Sequence, residues 1–167
     1  MGIDPGNSLG VAVLSVDENT EQIIGVKTHL KILDKGRLPE SSLNVFRLTT
    51  LSAYLPRLFN IYKPTALGYE SAFVDRRFPA SGLSLSIIVG SIITNSLQHG
   101  IENIYSFAPK EIKKSFSVAG ANKMDMSKAA ALDRRINKLI DLSVLSEHEV
   151  DAIAVALILY EYILHTR

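Results

Sequence analysis

Gly2-Ile3-Asp4-Pro5-Gly6, followed after three residues by Gly10-Val11-Ala12-Val13, is the stretch on which the reading of the fold turns. It reads as the tail of one strand, a tight turn and the start of a second strand. Gly10 to Val16 is short, apolar and β-branched, a composition that favours extended chain. Asp17 to Thr20 is a turn, and Ile23 to Leu33 alternates as a third strand would. Together the pieces predict an antiparallel meander. Asp4 then stands at a strand end beside exposed backbone, where a carboxylate can serve as the oxygen ligand a hard cation needs. Asp, Pro and Gly are also ordinary turn formers, so the stretch alone fits a plain hairpin equally well.

Downstream, Leu43, Phe46, Leu48, Leu51, Leu55, Leu58 and Phe59 recur at helical spacing, which predicts a helix over 41–62 with a kink at Pro56 and a stop at Pro64. Ala66 to Glu70 reads as a buried strand, Ser81 to His99 as a helix stopped by Gly100, and Ile104 to Phe107 as another strand. Helices are expected over 109–116, 124–139 and from Ser146 onward. Three strands, helix, strand, helix, strand and then helices predict an α/β mixed sheet flanked by helices, within one domain spanning 1–167. The first strand has only three residues before Asp4, which predicts a weakly secured sheet edge there.

Hydrophobic residues make up 47% of the chain and charged residues 21%, enough apolar material for a real core. The longest apolar stretches, Ser84 to Leu97 and Ala152 to Tyr160, are too short for a membrane span, and no secretory signal is expected. Cysteine is absent, which removes disulfides, thiolate metal sites and cysteine nucleophiles, and suits a cytoplasmic location. Net charge is only +1, but from Pro109 to Lys138 eight basic residues stand against three acids, a local charge of +5. Such a patch fits a nucleic-acid surface, and also a merely solvated helical one.

Two further carboxylate groups stand out. Glu70 closes the apolar strand Leu67-Gly68-Tyr69-Glu70, where an ionised side chain is expensive to bury without a partner. Glu147-His148-Glu149-Val150-Asp151 opens the last helix, and residues three and four apart share a face, so Glu147, His148 and Asp151 lie together. The helix macrodipole accounts for acids in a first turn, but less well for Asp151, one turn in and followed by Ala-Ile-Ala-Val-Ala. The small residues Ala152, Ala154 and Ala156 let this helix approach the sheet closely.

In that order, the Gly2–Gly6 start, Tyr69-Glu70-Ser71 with Phe73, the lysine-bearing 109–123 stretch and Val150-Asp151-Ala152-Ile153-Ala154-Val155-Ala156 resemble the RuvC family of Holliday junction resolvases, in the RNase H-like superfamily. The resemblance covers nearly the whole chain. It implies an RNase H-like fold in which Asp4, Glu70 and Asp151 bind metal, with His148 as the fourth ligand or proton-handling group and Glu147 as its substitute. Histidine at 148 departs from the aspartate found in many members. It weakens the charge match to Mg²⁺ and favours Mn²⁺. Two Mg²⁺ ions, roughly 3.5–4 Å apart, would activate the attacking water and stabilise the leaving oxygen. The resemblance further implies Lys113 and Lys123 beside the scissile phosphate. Phe73 would stack on an unpaired base, Arg76, Arg77, Lys110 and Lys114 would contact DNA, and the 81–99 helix would form a homodimer interface on branched DNA. Lysine near a phosphate offsets developing negative charge.

Three other readings stay open on sequence. One keeps the fold and metal but cuts flaps, forks or RNA. One is a non-catalytic nucleic-acid-binding module. The third, an actin-like ATPase suggested by the similarity of Gly2–Gly6 to a phosphate loop, fares badly: the chain is too short for two such domains and lacks a later glycine-rich loop.

Overall fold

The structure, a computed structural model, describes residues 1–34, 36, 38–71, 79–115 and 133–166, with only the backbone at 79–81, 114 and 115. Strands β1 (Gly2–Asp4), β2 (Ser8–Val16) and β3 (Ile23–Ile32) form the expected antiparallel meander. Strands β4 (Leu67–Glu70) and β5 (Ile104–Phe107) add to it in parallel, giving the order β3-β2-β1-β4-β5. The shortest strand is therefore central, not an insecure edge. It pairs with β2 on one side and β4 on the other, and on the β4 side the Met1 amino group donates to Ala66 O at 2.9 Å and Gly68 N donates to Met1 O at 2.8 Å.

Side chains alternate between sheet faces. Ile3, Leu9, Val11 and Val13 point to one face and pack against Leu51, Leu55, Leu58 and Phe59 of α1 (Glu40–Tyr62) and Ile88 and Ile92 of α2 (Pro79–Gln98). Ala12 and Val26 point to the other and meet Val150, Ala152, Ile153, Ala156 and Leu157 of the last helix, α4 (Glu147–Thr166). Three layers result, with the sheet in the middle. The helix α1 runs on through Pro56, whose lost bond falls to exposed Ser52, a carbonyl water can reach. It ends at Lys63, left-handed at φ 44°, just before Pro64.

One expected element differs. Of the helix predicted over 124–139, residues 133–139 are described, and 134–139 form turns. Asp133 Oδ1 accepts from Arg135 N at 2.9 Å, a local side-chain bond that competes with helix propagation. Arg135 then pairs with Glu161 of α4, fastening the segment to that helix. Helix α3 (Pro109–Ser115) follows β5 as expected. No helix among the described residues is long and apolar enough to cross a membrane.

Candidate active site

Because β1 and β4 are parallel, with Ile3 paired to Tyr69, Asp4 and Glu70 are the next residues on neighbouring strands. They share a register and leave the sheet at the same end. Adjacent strands lie about 4.8 Å apart, a separation that cations between two carboxylates can span. Both residues are half-buried.

The third contribution arrives through glycine. On Gly2 a Cβ would fall 2.7 Å from Ala156 Cα, and nearer still to Ala156 N and Ala152 O. On Gly10 it would fall 2.5 Å from the carbonyl carbon of His148. Helix α4 thus rests backbone to backbone on β1 and β2, with Ala152 and Ala156 over Gly2 and His148 over Gly10. Ala154 does a different job, packing sideways with Ala66, Phe107 and Ile112. This seating carries the first turn of α4 to Asp4: His148 Nδ1 donates to Asp4 Oδ2 at 2.8 Å, across 144 residues of sequence. The Asp4 side chain is 14% exposed and that of His148 31%. His148 Nε2 stands 3.9 Å from Glu147 Oε1 on the outer side. Asp151, one turn on, is half-buried.

Sequence reasoning missed what fixes the start of α4. Ser146 Oγ accepts from Glu149 N at 3.3 Å, while Glu149 Oε2 accepts from Ser146 N at 3.0 Å and Ser146 Oγ at 2.8 Å. This is a capping box, written as Ser-x-x-Glu over 146–149. Burial opposes ionisation of Glu149, but the Ser146 bonds, a Thr28 bond and His29 outweigh it and hold its carboxyl below the usual range. Glu149 therefore fixes the start of the helix, from which His148 reaches Asp4.

The parallel register of β4 and β5 pairs Glu70 with Phe107, so α3 starts at this same end. It carries Lys110, exposed, and Lys113, half-buried. Phe73, Arg76, Arg77, Lys123 and the Lys114 side chain lie outside what is described.

The donors suit a hard divalent cation: carboxylates from two strands and a helix, with an imidazole beside them. Among the described residues no three His, Asp or Glu side chains are gathered tightly enough to grip an ion as they are now turned. Asp4 is instead turned to His148. The backbone convergence fits a metal.

A family model described as crossover junction endodeoxyribonuclease RuvC matches residues 1–159. Among solved structures, Thermus thermophilus RuvC superposes with a TM-score of 0.76 at 19% identity, over 99% of this chain and 95% of that one. T. thermophilus RuvC in complex with Holliday junction substrate gives 0.76 at 18% identity, over 98% and 94%. The yeast mitochondrial Holliday junction resolvase Ydc2 gives 0.60 at 17% identity, over 95% and 75%. No curated protein matches. At these identities the structural likeness is one of fold, and the fold is the RNase H-like mixed sheet with flanking helices.

Proposed function

The chain belongs to the RuvC family of crossover junction endodeoxyribonucleases, and from that premise we propose that it resolves four-way DNA junctions by metal-dependent phosphodiester hydrolysis. The observation that carries the reading is the meeting of Asp4 and His148 at 2.8 Å, with Glu70 beside Asp4 in the parallel register. Three separate parts of the chain deliver acid and imidazole groups to one sheet end, and a structural core has no use for that convergence.

In this reading Asp4, Glu70 and Asp151 hold two Mg²⁺ ions, or Mn²⁺, with His148 as the fourth ligand and Glu147 its substitute. Bound metal supplies an activated water and a counter-charge for the leaving oxygen. The remaining work falls to the protein. His148 holds the Asp4 carboxylate through a hydrogen bond from Nδ1, Lys113 offsets charge on the phosphate, and exposed Lys110 contributes salt-dependent backbone affinity.

The test is cleavage of a synthetic four-way junction, beside a linear duplex and a flap, by wild type and Asp151→Asn in either metal. Paired symmetric nicks on the junction alone, absent from the variant, are expected. Cutting of the flap or duplex instead would retain the nuclease and discard the junction. Binding without cutting in either metal would leave a binding module.

Symmetric nicking asks for a homodimer, and α2 is the helix we assign to it. Its inner side is buried through Ile88 and Ile92, while Leu83 is 66% and Leu97 54% exposed. Gly90 lies between them on the exposed side, and a Cβ there would meet nothing within 4 Å. Nothing inside the subunit requires that glycine, whereas a second helix approaching closely would. Gly90→Arg is expected to yield monomers by analytical ultracentrifugation. The subunit's stability should rise slightly, by about 0.5–1 kcal/mol, because glycine is a poor helix former. A dimer that persists in this variant excludes α2 as the interface.

A further inference from the structure

Helix α1 presents Leu43, Leu51, Leu55, Leu58 and Phe59 to the core, and at the core-facing position between Leu43 and Leu51 stands Arg47, 3% exposed. A guanidinium there breaks the pattern that the rest of the helix obeys. One of its bonds reaches the segment that follows Asp4. Nη2 donates to Asn7 Oδ1 at 2.6 Å, and Nη1 donates to Asn44 Oδ1 at 3.0 Å and Glu40 Oε1 at 3.3 Å. Glu40 Oε1 also accepts from Ser84 Oγ of α2. Nε is buried and has no hydrogen-bond partner among the described residues.

As a device for stability this arrangement is poor. Among the described residues, the acid paired to the guanidinium is a side chain 62% exposed, and one buried donor is left unmet. Buried ionic groups add little net stability, and replacing them by apolar side chains of similar volume is often neutral or stabilising where no buried charge is left stranded. What the arginine does hold is the turn Pro5–Asn7, which leaves β1 directly after Asp4. Asn7 is gripped twice, through its side chain by Arg47 and through its carbonyl, which accepts from Leu33 N at 2.7 Å.

We propose that Arg47 is a positioning residue for cleavage: through Asn7 it fixes the turn after Asp4 and hence the aim of the Asp4 carboxylate. The proposal rests on the nuclease reading above. Local rules are broken mainly where function needs it, and a displacement of about 1 Å in a reacting group can cost about 100-fold in rate.

Arg47→Met and Asn7→Ala test it, singly and together. Arg47→Met is expected to melt at or above the wild-type temperature while its single-turnover junction cleavage falls by about 10–100-fold. Junction affinity should not change. Asn7→Ala, at an exposed position, should lower cleavage similarly, and the double variant should be no slower than the worse single one, because both act through one contact. Amide exchange gives a readout free of activity: in both variants the Leu33 amide should exchange about tenfold faster while core amides in β2 keep their protection. Wild-type cleavage in either single variant overturns the proposal. So does a slowed Arg47→Met with unchanged Leu33 exchange, or with loss of protection throughout. Should Arg47→Met fail to fold, Asn7→Ala decides alone. Should wild type cut no junction, the nuclease reading falls by itself, and Leu33 exchange still decides whether Arg47 fixes the turn.

Discussion

Asp4→Asn is expected to lower junction cleavage by at least about a thousandfold, equivalent to about 4 kcal/mol of transition-state stabilisation, while barely touching the fold. The substitution is isosteric and keeps an oxygen that can accept from His148 Nδ1, so the 2.8 Å contact survives as a neutral hydrogen bond. The cost to stability is the difference between a charge-assisted bond and a neutral one, about 1 kcal/mol, or a few degrees of melting temperature for a chain of this size. The charge is what chemistry loses. Asp4 and Glu70 leave the sheet as neighbours in register, and no other acid among the described strands stands beside Glu70 in that way. Single-turnover cleavage, melting and junction binding measured side by side separate the effects. A residual rate within tenfold of wild type would remove Asp4 from the reacting centre.

Much of this was legible from sequence, and the exceptions share a cause. Strand alternation and the glycine turn identify the meander, because period-two patterning is local. The central place of β1 is not local: it follows from parallel pairing with β4, 66 residues away, and only that pairing turns two strand-end acids into neighbours. Likewise the small residues of α4 can be read as a close-packing surface, but Gly2 and Gly10 read first as turn and strand glycines. Their role as the other half of that surface needs the helix in place. The capping box at Ser146 and Glu149 was present in the letters and concealed by a competing explanation, the macrodipole, which also accounts for acids in a first turn. Arg47 was invisible because an arginine among leucines on an amphipathic helix is normally assigned to the wet face. The helix predicted to run through 139 failed where Asp133 bonds its own downstream backbone, a preference hydrophobic spacing does not encode.

Gly10→Ala carries the largest expected effect on the fold, and it links fold to site. A methyl group at Gly10 would enter the space of the His148 carbonyl, backbone against backbone, where no side-chain rotamer can yield. Overpacking a core costs about 1–3 kcal/mol when side chains can adjust. Here the first turn of α4 must lift, so about 3–4 kcal/mol is expected, near 10 °C of melting temperature. The proper control is Gly25→Ala in the neighbouring strand, where the new methyl would meet the Ser15 side chain at ordinary distances, Cβ at 3.5 Å and Oγ at 3.6 Å. That variant should melt within about 1 kcal/mol of wild type. Cleavage assayed well below both melting temperatures then isolates the site. If α4 delivers His148 and Asp151 to Asp4 by resting on bare backbone, Gly10→Ala loses cleavage even where it remains folded, and Gly25→Ala does not. Equal melting temperatures for the two variants would mean that the helix is not seated on Gly10, and that the register bringing His148 within 2.8 Å of Asp4 has another origin.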